Sequence, residues 1–145
     1  MDVLGPGQKP LIRPHYPHML HEDTQIWTKF LKTDSERIQE LWYDVRVGKP
    51  VYLGESATEM ELKIAGGLTR KRIDVVCRVN GDYWVVEVKP WASMLAVGQV
   101  IAYARLFAMN YELTARVIPV IVCDASDEDL IEQYDELGIM VLVNE

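Results

Sequence analysis

Apolar residues in the first third of the chain recur at helical spacing. From Glu22 onward Ile26, Trp27, Phe30 and Leu31 share one side of a helix. Ile38, Leu41, Trp42 and Val45 admit two readings: a second helix behind a cap at Asp34 or Ser35, or a strand from Leu41 to Val47, since that stretch also alternates and ends in the Gly48-Lys49-Pro50 turn. Residues 58–65 alternate as a half-buried strand that Gly66-Gly67 would turn, and 70–79 and 82–89 read as two more strands. Asn80-Gly81 between these predicts a two-residue hairpin, because both central positions of a type I′ turn need positive φ. Pro90 suits the first turn of a helix, and residues 91–111 continue as a nearly all-apolar helix that must be buried on several sides. A strand over 115–123, a helix over 126–137 with Ser126 as N-cap, Gly138 as its C-terminal stop and a strand over 139–143 complete the pattern. The order predicts an α/β domain in which helices cover a mixed sheet. Residues 1–20, with prolines at 6, 10, 14 and 17, predict an extended arm that packs along a single domain of residues 21–145 or stays mobile. His15, His18 and His21 stand three apart in and beside this arm; its prolines prevent the helix that would align them as metal ligands, so they read as surface histidines.

Composition narrows the classes. A chain of 145 residues, 49% apolar and 26% charged, suits one domain with a sizeable core. No window approaches the roughly 18–20 uninterrupted apolar residues of a membrane span. The first residues lack the basic start, apolar stretch and small-residue cleavage site of a secretion signal, so a cytoplasmic location is expected. Cys77 and Cys123 lie in strand-like runs and read as packed thiols. The net charge of −7 is unevenly spread: residues 124–145 carry eight acids and no Lys or Arg, which leaves 14 acids against all 15 basic residues in 1–123. The acidity therefore belongs to the C-terminal end and reads as a solvated helix face, with no bearing on whether the rest meets a polyanion.

The chemistry gathers at the two hairpin strands. A two-residue Asn80-Gly81 loop pairs residue n with residue 161 minus n, which sets Asp74 opposite Glu87 and Arg72 opposite Lys89. Facing carboxylates are destabilising unless something positive lies between them, and a divalent cation supplies it. Hard oxygen ligands suit Mg²⁺ or Mn²⁺, and a lysine beside them can position a water and stabilise negative charge. A three-residue loop would shift the register and break the pair. Gln99 and Tyr103, four apart, share one face of the apolar helix, where a buried Gln needs a polar partner.

With Arg72-Ile73-Asp74-Val75-Val76, Trp84 to Pro90 and Gly98 to Leu106 in that order, the stretch 58–123 resembles the PD-(D/E)XK nuclease superfamily. That superfamily has the restriction-endonuclease-like fold, and the Gln99-x-x-x-Tyr103 motif is similar to that of its RecB-like branch. The resemblance implies metal ligation by Asp74, Glu87 and the carbonyl of Val88, with Lys89 at the attacking water and Gln99 and Tyr103 orienting the site or the DNA. It implies a further acid near the first helix, for which Glu22, Glu36, Glu40 and the strand alternative Asp44 all qualify. Ile73 stands where many members have proline, and two cysteines are too few for the iron-sulfur cluster of some RecB-like relatives. Arg70, Lys71 and Arg72 lead into the Asp74 strand as candidate phosphate contacts. Trp84 and Trp91 are expected to pack, Trp84 on the strand face opposite Glu87.

The expected activity is Mg²⁺-dependent hydrolysis of DNA phosphodiester bonds, directed to DNA structure or ends, with dimerisation or a protein partner supplying specificity. A bacterial or phage role in replication, repair, recombination or packaging follows from the same resemblance. The rival expectations are a non-catalytic binding module of the same fold and an α/β assembly protein that uses the acidic end as its contact face.

Overall fold

A computed structural model describes residues 1–65 and 68–145 in full. Nine main elements follow one another: α1 (His21–Asp34), β1 (Glu40–Val47), α2 (Glu59–Thr69), β2 (Lys71–Val79), β3 (Asp82–Ala92), α3 (Met94–Asn110), β4 (Val117–Ser126), α4 (Gln133–Leu137) and β5 (Met140–Val143). The five strands form one sheet in the order β1-β2-β3-β4-β5. The first three run antiparallel as a meander, whereas β4 and β5 lie parallel to β3 after helical crossovers. It is the expected α/β architecture of a mixed sheet flanked by helices. Among the described residues no helix is long and apolar enough to cross a membrane.

The two faces are covered by different helices because the strands alternate. On one face Ile26, Trp27, Phe30 and Leu31 of α1 pack on Val75, Cys77, Val86, Val88, Val120 and Val122. On the other, Ala104 and Phe107 of α3 pack on Trp42, Val76 and Val85, while Ala96, Val97 and Val100 pack on Ile121 and Cys123. The nearly all-apolar character of α3 thus has two packing surfaces along its length. Both cysteines are buried and unbridged.

The N-terminal arm packs along the body. Asp2 N–H donates to the Asn110 carbonyl, Gln8 pairs with Leu41 across the free edge of β1, and buried Tyr16 bonds Thr28 through its hydroxyl. Gly7 sits so close to β1 that a Cβ there would lie 2.9 Å from the Leu41 carbonyl oxygen. Gly7→Val is therefore expected to unseat the arm and to destabilise the protein by about 1–3 kcal/mol in denaturant titrations, the usual cost of overpacking.

Three sequence expectations are corrected. Residues 58–65 form the start of helix α2, since Thr58 and Glu61 close a reciprocal capping box and Glu, Met, Leu and Lys are good helix formers. The alternating Met60, Leu62 and Ile64 are all exposed, so their spacing records no buried strand face. The turn expected at Gly66-Gly67 lies outside the described residues. Pro90 does not open α3: β3 runs on to Ala92, paired with β4 alone after its ladder with β2 ends at Val86, and an edge position tolerates a proline. The helix expected over 126–137 is split into a 3₁₀ turn at Glu128–Leu130 and the short α4. Asp127 caps the 3₁₀ turn, while Ser126 ends β4 and its hydroxyl bonds Tyr134. Of the two readings left open over 38–47, the strand is the one formed, and Gly138 stops α4 in the left-handed conformation (φ +69°).

Candidate active site

Asn80 and Gly81 have φ of +49° and +82°, and the hairpin they close pairs Val79 with Asp82 and every rung down to Val75 with Val86. This is the register in which Asp74 and Glu87 come next, and there the ladder stops. In place of a further strand rung, the Val88 N–H donates to Asp74 Oδ2 at 2.9 Å. Asp74 thereby substitutes its carboxylate for a backbone acceptor and is held against the middle of the Glu87-Val88-Lys89 segment.

Glu87 is only 3% exposed. Its rung in the β3–β4 ladder is Ile121, so it points to the α3 side of the sheet. Its Oε2 lies 4.0 Å from Lys89 Nζ, and its Oε1 is buried without a hydrogen-bond partner in the structure. Burial pushes the Glu87 carboxyl well above the usual carboxylate range, and the charge of Asp74 adds to this against the pull of Lys89. Asp74 is raised too, first by burial and then by Asp23 and Asp44, while the Val88 N–H and Lys89 hold it down. Two acids that resist ionising side by side are an anionic pair short of positive charge.

Gln99 and Tyr103 come from the face of α3 turned to this pair. The Tyr103 hydroxyl is raised by burial and then by the charges of Glu87 and Asp74, and Gln99 Oε1 is buried without a hydrogen-bond partner. The structure thus brings Asp74, Glu87, Lys89 and Tyr103 into one electrostatic neighbourhood, with Gln99 one turn away on the same helix.

Sequence reasoning missed Asp23. It is half-buried in the first turn of α1, where burial raises its carboxyl and Lys89 lowers it, and its own charge reaches both Asp74 and Glu87. The signal was present: Asp23 stands three and four residues before the buried Ile26 and Trp27, on the stripe that faces the sheet. Of the acids weighed earlier, Glu22 and Glu36 are exposed, Glu40 accepts a hydrogen bond from Gly7 of the arm, and Asp44 is the one whose charge reaches Asp74.

The three basic residues before Asp74 do not act as one patch. Arg70 donates to the Gly48 carbonyl and pairs with Asp2, Lys71 is exposed, and Arg72 lies beside Asp44. Trp84 is buried beneath the Arg37 guanidinium, whereas Trp91, expected to pack, is 56% exposed just past Lys89. His15 is exposed, His21 contacts Gln25, and His18 approaches Asp44. Among the described residues no cluster of three His, Cys, Asp or Glu side chains is arranged as a metal cage. What the site offers is a carboxylate pair with a buried, unsatisfied oxygen, a donor set that fits a hard cation which keeps most of its own waters.

No family model and no curated protein matches the chain. Among solved structures it is similar to a chain of an EndoMS–dsDNA complex, at 15% identity and a TM-score of 0.47 over 92% of this chain and 49% of that one. It is also similar to protein VC1899 from Vibrio cholerae, at 18% identity and a TM-score of 0.45 over 90% of this chain and 35% of that one. The chain thus spans about half and about a third of those two.

Proposed function

We propose that the protein is a metal-dependent DNA nuclease of the PD-(D/E)XK type, close to the RecB-like branch. The observation that carries this reading is the pair of carboxylates, buried Glu87 and half-buried Asp74, brought together where the β2–β3 ladder breaks, with Lys89 beside them. A structural ion pair needs one acid and one base; here two acids share one lysine, and ionising both would leave net negative charge that a cation would neutralise.

Asp74, Glu87 and the carbonyl of Val88 would hold Mg²⁺ or Mn²⁺. An ion held there would supply Lewis acidity toward the phosphate and a bound water of lowered pKa. Lys89, tethered by Glu87, orients the attacking water and stabilises charge on the phosphate oxygens. Tyr103 and Gln99 set the α3 wall of the site and hold the sugar-phosphate chain in line. Asp23 adds a third negative group on the α1 side, where it steadies Lys89. The setting that fits is the cytoplasm of a bacterial or phage-infected cell, with a second copy or a protein partner supplying specificity.

Incubation with linear, circular, single-stranded and branched DNA in Mg²⁺, Mn²⁺ or EDTA tests the reading, with Asp74→Asn as control. Metal-dependent cutting that is lost in the variant is expected. Cutting that survives Asp74→Asn, or no cutting of any substrate, would refute it.

A further inference from the structure

Next to the carboxylate pair, two arginines and a histidine from three parts of the chain converge on one acid. Asp44 lies 3.6 Å from Arg72 Nε, 3.7 Å from an Arg46 guanidinium nitrogen and 3.9 Å from His18 Nε2. Asp44 occupies the one rung missing from the β1–β2 ladder, between Tyr43↔Val75 and Val45↔Ile73, and the residue across that gap is Asp74. The sheet is locally twisted here. Tyr43 and Val75 face α1, but Val45 and Ile73 face α3, so the usual alternation reverses at Asp44 and Asp74.

Two observations make this corner more than a surface ion pair. Arg46 and Arg72 are directly opposed across the ladder, an arrangement of like charges that costs stability and that one acid, Asp44, offsets by lying beside both. Further, His18 and Asp44 both adopt left-handed backbone, with φ of +61° and +54°. Asn80 in the hairpin turn is the other non-glycine residue with positive φ among those described. Strained residues persist where the surroundings over-determine them, and they cluster at functional sites. Here the strain is in the two residues that bring the arm and β1 together, at separations longer than the 2.7–2.9 Å of a tight charge-assisted bond.

The geometry points to a phosphate-binding corner: Arg46, Arg72 and His18, gathered by Asp44, receive a backbone phosphate of the DNA strand that is cut at Asp74 and Glu87. This rests on the nuclease reading and deepens it by naming where the strand enters. Asp44 holds the two arginines and His18 together in the absence of DNA and competes with the phosphate when DNA arrives. Through His18 the N-terminal arm becomes part of the DNA surface.

The test is binding of a fluorescent duplex to the whole protein, with Ca²⁺ replacing Mg²⁺ to suppress cutting, over a range of salt concentrations. Arg46→Gln and Arg72→Gln are each expected to weaken binding about tenfold and to reduce the salt slope by about one unit, the signature of one lost phosphate contact. Arg46→Lys should keep the slope. Asp44→Asn, which retains the residue type best suited to left-handed backbone, should bind DNA several-fold more tightly. A merely structural cluster would instead lose stability in Asp44→Asn with no gain in affinity. Should Arg72→Gln fail to fold, the more exposed Arg46 carries the same test. Wild-type binding by the Arg46→Gln and Asp44→Asn variants would overturn the corner and leave the nuclease reading standing. A wild-type protein that neither binds nor cuts DNA would overturn both.

Discussion

Lys89→Ala is expected to slow metal-dependent DNA cleavage by about 10²–10⁴-fold at saturating metal, the range for losing a group that moves protons or stabilises charge at the reacting centre. The lysine lies in the part of β3 that pairs with β4 alone and is partly exposed, with its ammonium 4.0 Å from Glu87 Oε2. Its charge also lowers the carboxyls of Asp74, Glu87 and Asp23. Removal should therefore have two effects of opposite consequence. The acids hold protons to higher pH and compete with the metal, which more metal overcomes; the water and the phosphate oxygens lose their cation, which no metal concentration restores. Single-turnover rates measured against metal concentration separate the two. The melting temperature should hardly change, since no buried contact is lost. A variant that cuts within tenfold of wild type at saturating metal would remove Lys89 from the reaction.

What the chain reveals before folding, and what it conceals, divides along local and non-local lines. The hairpin was legible because Asn80-Gly81 allows few other turns, and its register brought Asp74 and Glu87 to adjacent ends by arithmetic alone. α3 and β4 were legible from long apolar runs, and Gly138 from its position after the last periodic residue. Residues 58–65 misled because Met60, Leu62 and Ile64 alternate like a strand face yet are all exposed, while the Thr58–Glu61 capping box decided the outcome locally. The break in the ladder was not legible, since it arises when the Asp74 side chain takes the Val88 N–H. The left-handed backbone of Asp44 and the approach of His18 were equally hidden. Both depend on where the arm lies against β1, and proline spacing alone does not set that path. Asp23 was within reach of helical spacing, since it stands on the stripe of α1 that carries Ile26 and Trp27.

Glu87→Gln should make the metal-free protein more stable at pH 8 while abolishing cleavage. The sign follows from the direction of the shift. Burial and the Asp74 charge raise the Glu87 carboxyl from its ordinary range to about 8, so the folded chain holds a proton that the unfolded chain has released. Stability from this group is fully present below the unfolded carboxylate pKa and is lost as pH rises through the folded value. Metal-free wild type should thus melt at lower temperature at pH 8–9 than at pH 5, a difference on the order of 2–4 kcal/mol at about 1.4 kcal/mol per pKa unit. Glutamine is neutral throughout and removes that slope, so the difference between wild type and variant reports the titration of the Glu87–Asp74 pair. Mg²⁺ or Mn²⁺ should raise the wild-type melting temperature at pH 8, because binding to the folded state alone stabilises it by mass action, and should do much less for the variant. A flat difference across pH, or equal metal stabilisation of both proteins, would mean that Glu87 is an ordinary buried acid. If the slope and the metal response disappear together, the carboxylate that destabilises the empty fold is the one that holds the cation.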